Sequence, residues 1–363
     1  MKVGILTFHA VQNYGAMLQA YALSETINGM GHSCEVIDYR SASIEKQYKP
    51  IQLKEIKHPK GFLKSLPMIS HKKKLQREVD DFVANIMRTS KKKYDLSNIS
   101  SCVDDYDVII VGSDQVWNLN ASGGDTTYLL DFVSDDKKRA SYAASISVKD
   151  PDDEYKSLLK NQLSRYKFIS VRETDAKDLL EELLTRDIYV TIDPTLLIDS
   201  EKWINISQDT DEQDYILLYM MTVNADLRKY ATELSRRKGL PVKYVSLYEP
   251  KAEGCEMVFA PSVIDWINLH RNAKYVVTNS FHGMVFSIVF QKKFAYGLTK
   301  NAGKNTRLSN LLEQIGIGDR VANIDDLDKI DTPIDYESVE NKLVDLRDGS
   351  MNYLKMVLAE GDK

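Results

Sequence analysis

Within its first 39 residues the chain commits to one kind of fold. Val3 to Phe8 is a short apolar run, and Cys34 to Tyr39 is another. Between them, Ala16 to Met30 carries Leu18, Tyr21, Ala22, Leu23 and Ile27 at helical spacing, and Gly31 stands where a helix stop is expected. A strand, a helix and a strand in so short a span make a βαβ unit, which joins parallel strands, so a doubly wound parallel α/β sheet is the expectation. No GxGxxG follows the first strand, which removes the main support for a dinucleotide-binding dehydrogenase.

The same alternation continues. Residues 41–75 read as an irregular connection because Pro50, Pro59, Gly61 and Pro67 interrupt them, and Leu75 to Met87 reads as a helix. Strands are expected at Asp107–Val111, Arg139–Ser145, Phe168–Val171 and Tyr189–Ile192, the last ended by Pro194. The polar, acidic stretch Ser200–Asp214 reads as a domain boundary. Beyond it strands (Tyr215–Met220, Val242–Leu247, Tyr275–Val277, Phe294–Tyr296) alternate with helices (Ala225–Lys238, Ser262–Arg271, Phe281–Phe290, Leu308–Ile315), and a long helix spans Tyr336–Ala359. With 363 residues, two domains are expected. We place them at 1–205 and 206–330, with 331–363 as a helix that docks back.

A net charge of −5 argues against a nucleic-acid partner. Residues 41–100 are the exception, with 14 Lys and Arg against 6 Asp and Glu. That excess suits a solvated helix face or a peripheral contact with an anionic membrane or carrier. Cys34, Cys102 and Cys255 form no CxxC pair, which fits a reduced, cytoplasmic protein without a zinc site. Lys2 enters a strand at once, so no signal peptide is expected, and no apolar run approaches the ~20 residues that span a bilayer.

Asn13, Asp114, Arg172, Asp193 and His282 all fall at expected carboxyl ends of strands, the edge where open α/β sheets bind ligands. His282 stands in the first turn of a helix, so its imidazole either packs at a strand–helix corner or donates a proton beside an anion. Asp114 either ties its loop to backbone N–H groups or orients a hydroxyl. Trp117 and Tyr14 either fill the core or stack on a sugar face. If the edges of both domains face one cleft, these groups converge there.

Six segments add a resemblance: Asn13-Tyr14-Gly15-Ala16-Met17-Leu18-Gln19, Gly112-Ser113-Asp114-Gln115-Val116-Trp117-Asn118, Tyr142-Ala143-Ala144-Ser145, Ser170-Val171-Arg172-Glu173, Asp193-Pro194-Thr195 and Ser280-Phe281-His282-Gly283. In this order they resemble the polysaccharide pyruvyl transferase family. The resemblance implies a GT-B-like fold, two Rossmann-like domains facing a cleft. It also implies phosphoenolpyruvate as donor, with no cofactor or metal, and a glycan or lipid-linked saccharide as acceptor. His282 then becomes the acid and Asp114 a second catalytic group. Arg172, Ser280, Phe281 and Gly283 fall on the donor side, and Asn13, Tyr14, Gly15 and Trp117 on the acceptor side. The family's Arg-x-His-Gly motif has Arg where this chain has Ser280, and Arg307 is the candidate to replace that cation. A nucleotide-sugar-dependent glycosyltransferase on the same scaffold and a non-catalytic glycan-binding module are the alternatives.

Overall fold

The computed structural model describes residues 1–48, 59–148, 150–207, 214–247, 249–298 and 309–359, with the backbone alone for 59–68. The strands are β1 Lys2–Leu6, β2 Ser33–Val36, β3 Val108–Val111, β4 Arg139–Ser141, β5 Ser170–Val171, β6 Tyr189–Val190, β7 Ile216–Met220, β8 Val242–Ser246, β9 Glu256–Val258, β10 Tyr275–Thr278 and β11 Lys293–Tyr296. Among the described residues the helices include α1 Tyr14–Gly29, α2 Ala42–Tyr48, α3 Pro59–Asn85, α4 Leu119–Ser122, α5 Asp153–Leu163 and α6 Thr174–Leu184, then α7 Ser200–Ile206, α8 Ala225–Lys238, α9 Val263–Asn272, α10 Phe281–Val289 and α11 Tyr336–Ala359. The chain divides into two compact units. Unit 1 is Met1–Gln47, Val83–Ile198 and Leu343–Lys363, and unit 2 is Tyr48–Phe82 and Asp199–Lys342.

Unit 1 is built on a parallel sheet of order β2-β1-β3-β4. Parallel bridges Ala140↔Phe168 and Ala144↔Val171 carry it on to the parallel pair β5–β6. Unit 2 is a five-stranded parallel sheet of order β11-β10-β7-β8-β9. Every residue of β3, β7, β8 and β10 is buried. Near-continuous apolar runs of this kind belong to parallel strands covered on both faces. One cover in unit 2 is α8, whose Leu227, Tyr230, Ala231 and Leu234 pack with Ile216, Leu218, Tyr244 and Val277 in one cluster. Asn224 caps that helix through Leu227 N, and Gly239 ends it at φ +67°.

In each sheet the strand order reverses once. All strands stay parallel, but from β1 the chain adds β2 on one side and then β3 and β4 on the other, so the order of unit 1 reverses between β1 and β3; that of unit 2 reverses between β7 and β10. The helices that follow the two strands at such a point leave on opposite faces, which opens a crevice at their carboxyl ends.

Three expectations change. Of the stretch 41–75 expected to be irregular, 42–48 is helical as α2, 49–58 lies outside the described residues, and 59–75 is helical as part of α3, where Pro59 takes the first helical position and its missing N–H costs nothing. Ser200–Asp214 is not a plain linker: α7 occupies its start, and Trp203 is fully buried with its ring 4.9 Å from that of Phe286. β4 stops at Ser141 rather than Ser145, since Ala143 takes φ +48° and turns the chain out of the extended region.

Candidate functional site

The carboxyl edge of unit 1 is a dense polar network. Gln19, fully buried on α1, ties β1 to β3 across the reversal point. Its Nε2 donates to Thr7 Oγ1 (3.0 Å), Phe8 O (3.3 Å) and Ala16 O (2.8 Å), and its Oε1 accepts from Ser113 N (2.9 Å). Thr7 Oγ1 in turn donates to Ser113 O at 2.9 Å. The Gly112–Ser113 peptide is cis, and Asp114 takes φ +71° with its Oδ1 accepting from Gln115 N at 2.8 Å. Asn13 is the N-cap of α1, its Oδ1 accepting from Gly15 N at 3.1 Å.

Arg172 follows β5, with its side chain 4% exposed. Its Nη1 donates to Asp193 Oδ2 at 2.7 Å, and its Nε lies 3.5 Å from Glu173 Oε1. Burial alone would make the guanidinium easier to deprotonate, but the carboxylates of Glu173, Asp193 and Asp114 outweigh it and bind the proton more tightly. Asp193 also accepts from Thr195 N, Thr195 Oγ1 and Ser113 Oγ, and Glu173 Oε1 accepts from Ser145 Oγ at 2.6 Å. The structure therefore brings Asp114, Arg172, Glu173, Asp193 and Ser113 together on one edge. The guanidinium expected to clamp a ligand anion already carries two of the protein's own carboxylates.

Trp117 and Tyr14, the two rings expected to stack on a sugar, are both fully buried. The Trp117 indole donates to Tyr128 O at 3.1 Å and meets the Tyr166 ring edge-on at 6.0 Å. Neither ring presents a face to a ligand in this arrangement, because each fills the core behind its strand end.

A buried pair stands beside this network at the ends of β1 and β2. His9 Nε2 contacts Asp38 Oδ1 at 3.0 Å, and Arg40 also holds Asp38. Burial would raise the Asp38 carboxyl, but the hydrogen bonds from His9 and Arg40 prevail and hold it well below the usual carboxylate range.

Unit 2 finishes its reversal point differently. Thr278, the last residue of β10, donates through Oγ1 to Tyr219 O at 2.7 Å and accepts from Ser280 N at 3.0 Å. Asn279 bridges to the end of β7, accepting from Met221 N (2.9 Å) and donating to Thr222 O (2.6 Å). Ser280 is the N-cap of α10, its Oγ accepting from Gly283 N at 3.2 Å. The residue standing where the family motif has Arg thus closes the helix end, which an Arg side chain could not do. A Cβ at Gly283 would collide with Thr278 Oγ1 and lie 3.0 Å from Tyr219 Cδ1, so only glycine lets α10 approach β10 this closely. His282 is buried in the first turn, its ring edge-on to Phe281 at 5.2 Å. The positive end of the helix dipole lies at that turn.

Arg307 lies outside the described residues. Among the described residues, no group of three or more His, Cys, Asp or Glu side chains is placed to hold a metal ion, and no helix is long and apolar enough to cross a membrane. The sequence alone assigns no bonding role to Gln19, Ser113, Thr278 or Asn279, although Gln19 and Ser113 stand in the resembling segments and Thr278 and Asn279 in the polar cluster that ends their strand. Gln19 alone left a signal, an amide inside the apolar run Met17-Leu18-Gln19-Ala20.

A family model described as polysaccharide pyruvyl transferase matches residues 13–296. Among solved structures, UDP-GlcNAc 2-epimerase from Neisseria meningitidis, bound to UDP-GlcNAc, is similar at 12% identity over 99% of this chain and 100% of that one, with a TM-score of 0.55. UDP-N-acetylglucosamine 2-epimerase from Rickettsia bellii is similar at 10% identity over 100% and 97%, with a TM-score of 0.52. MnaA of S. aureus, in a co-structure with UDP, is similar at 14% identity over 99% and 96%, with a TM-score of 0.51. At such identities these neighbours speak for the fold alone, which is α/β and GT-B-like. No curated protein sequence matches the chain.

Proposed function

Because the chain belongs to the polysaccharide pyruvyl transferase family, we propose that it moves a pyruvyl group from phosphoenolpyruvate to a sugar of a cell-surface polysaccharide precursor, forming a pyruvate ketal. The observation that supports this most is the position of His282, in the first turn of the helix that leaves the reversal point of unit 2. A small, highly charged donor suits that place. The helix end favours its anionic oxygens, and the imidazole supplies a proton at one atom.

In this reading His282 protonates the methylene carbon of the enol. The carbon bearing the phosphate becomes oxocarbenium-like and is attacked by one sugar hydroxyl. Its bond to the phosphate oxygen then breaks, and the second hydroxyl of the pair closes the ketal. The methylene gains one proton and the phosphate leaves with the other, so the two hydroxyl protons are accounted for. Ser280, Phe281 and Gly283 shape the donor loop. Asp114 orients the acceptor hydroxyl, and Asn13, Tyr14, Gly15 and Trp117 frame the acceptor side by fixing the start of α1 and the loop after β3. Arg172 adds a cation for the donor, at the cost of loosening a contact with Asp193 or Glu173.

The test is turnover. Phosphoenolpyruvate with a panel of saccharide acceptors is expected to release inorganic phosphate and give a product with a ketal methyl resonance, and His282→Ala is expected to slow this about 10²–10⁴-fold. Phosphate release unchanged in His282→Ala would remove the assignment. A second reading has one observation in its favour. With Ser280 capping α10 where the family motif has Arg, the first turn of α10 lacks that motif's cation, and a nucleotide-sugar diphosphate would accept that. Turnover of a nucleotide sugar in place of phosphoenolpyruvate would favour it.

A further inference from the structure

The chemistry proposed above leaves α3 unused. This helix belongs to unit 2 as far as Phe82, and it turns Leu75, Val79 and Phe82 inward, all three buried. His71 is buried one turn earlier. Burial, with the charges of Lys74 and Lys72 behind it, makes that imidazole harder to protonate, although the nearby backbone of Ser246 favours the proton. Its ring meets the Phe259 ring edge-on at 5.6 Å, and Lys74 Nζ donates to Phe259 O at 3.2 Å. Ser246 ends β8 and Phe259 follows β9, so this part of α3 lies at the carboxyl ends of those strands.

The helix is divided by charge. Pro59 to Arg77 holds six Lys and Arg and no Asp or Glu, and Glu78, Asp80 and Asp81 follow directly. Lys73, Lys74 and Arg77 are exposed, and among the described residues none of the three forms an ion pair. The residues outside the described ones do not reverse this balance. By sequence, 49–58, which precede α3, add three Lys and one Glu, and 299–308, which follow β11, add three cations and no carboxylate. Asp214, which closes the acidic stretch before β7, stands at the other edge of the sheet.

The ordinary explanation of such residues is a solvated helix face. Those faces mix signs, because a carboxylate one turn from a cation stabilises a helix and a like charge there destabilises it. Here Lys73 and Lys74 stand four and three residues before Arg77. The carboxylates one turn on, Glu78 for Lys74 and Asp81 for Arg77, come after their cations, which is the weaker order, and neither pair is closed. Phe259 is a second departure, since its ring is 42% exposed beside Lys74. Water rewards neither the unmixed cations nor the bare ring. A surface that is anionic outside and apolar beneath matches both.

We propose that the basic part of α3, through Lys73, Lys74 and Arg77, and the exposed ring of Phe259 form a surface that holds the protein on an anionic lipid bilayer. The cations meet headgroup phosphates, and the ring enters the boundary beneath them. The proposal stands independently of the donor assignment, and it brings the carboxyl edge that carries His282 to where a lipid-linked saccharide is presented.

Co-sedimentation of the full chain with vesicles tests it. The parent is expected to bind phosphatidylcholine vesicles that contain phosphatidylglycerol, and not vesicles of phosphatidylcholine alone. The triple variant Lys73→Gln, Lys74→Gln, Arg77→Gln should weaken binding at least about tenfold. Raising the salt from about 0.1 M to about 1 M, which shortens the screening length from about 10 Å to about 3 Å, should do the same. Phe259→Ser should weaken binding at both salts. The charge-matched control Lys91→Gln, Lys92→Gln, Lys93→Gln, in unit 1, should bind nearly as the parent does, and urea midpoints check that every variant is folded. A parent that ignores phosphatidylglycerol, a triple variant that binds as the parent does, or an equal loss in the control overturns the proposal. Binding of heparin through the same residues without vesicle binding assigns the surface to an acidic macromolecule and overturns it too.

Discussion

At their carboxyl edges the two sheets do opposite things with the same kind of topology. Unit 1 binds its polar groups to one another: Arg172 to Asp193 and Glu173, Gln19 to both strands of the reversal point, Asp38 to His9 and Arg40. Unit 2 uses short side chains, Thr278, Asn279 and Ser280, to tie down the loop, and then presents the first turn of α10 with His282 in it. A closed network of charges holds a fold in place, and removing one member leaves the others buried without compensation. A capped helix end takes little from stability and supplies a local field. Substitutions in the first edge should therefore register mainly in stability, and those in the second mainly in ligand binding.

The largest expected effect is in unit 1. Arg172→Met leaves the Asp193 and Glu173 carboxylates without their cation and should cost about 3–5 kcal/mol, read as a lower midpoint in urea unfolding. An unchanged midpoint would mean that the Arg172 pairs add nothing to stability, and would erase the contrast. Next comes Gly283→Ala, which forces a methyl onto Thr278 Oγ1 and Tyr219; overpacking of this kind costs about 1–3 kcal/mol. That loss should be accompanied by weaker donor binding, because α10 must move.

Acid separates the units further. Burial of His270 pushes its imidazole down to about 3, so the unfolded chain takes up the proton first as the pH falls. Its contribution is complete above the unfolded value near 6.5 and shrinks as the pH drops below it, by about 1.4 kcal/mol at pH 5.5. The depressed Asp38 carboxyl of unit 1 contributes above about pH 4 and loses its contribution only below that. The acid limb of the stability curve should thus begin with His270, and His270→Gln should flatten it between pH 6.5 and about 4. An unaltered limb would assign the acid sensitivity elsewhere. The smallest effect is Ser280→Ala, which removes the cap of α10 for about 1 kcal/mol; a larger stability loss would mean that Ser280 does more than cap.

Period and composition made much of this legible. The helices Ala225–Lys238 and Tyr336–Ala359 are read to the residue, because apolar spacing and end signals agree there. Parallel sheets follow from continuous apolar strands, and the carboxyl edges, one in each unit, that carry Arg172 and His282 follow from where those strands stop. Partnership was the hidden part. Nothing in Ser170-Val171-Arg172-Glu173 tells that Arg172 faces Asp193, 21 residues on. Nothing local distinguishes a Trp117 that stacks on a ligand from one that fills the core. α7 was missed because its one buried anchor, Trp203, sits in an otherwise polar stretch, and hydrophobic periodicity cannot be read from a single residue.

The central claim is that the first turn of α10 in unit 2 holds the donor, and calorimetry with phosphoenolpyruvate on the parent chain and on His282→Ala tests it most directly. The account predicts that the parent binds phosphoenolpyruvate and that the variant, folded to the same extent, loses at least about tenfold in affinity, roughly 1.4 kcal/mol. Heat from a nucleotide sugar and none from phosphoenolpyruvate, or equal affinity in parent and variant, would contradict it.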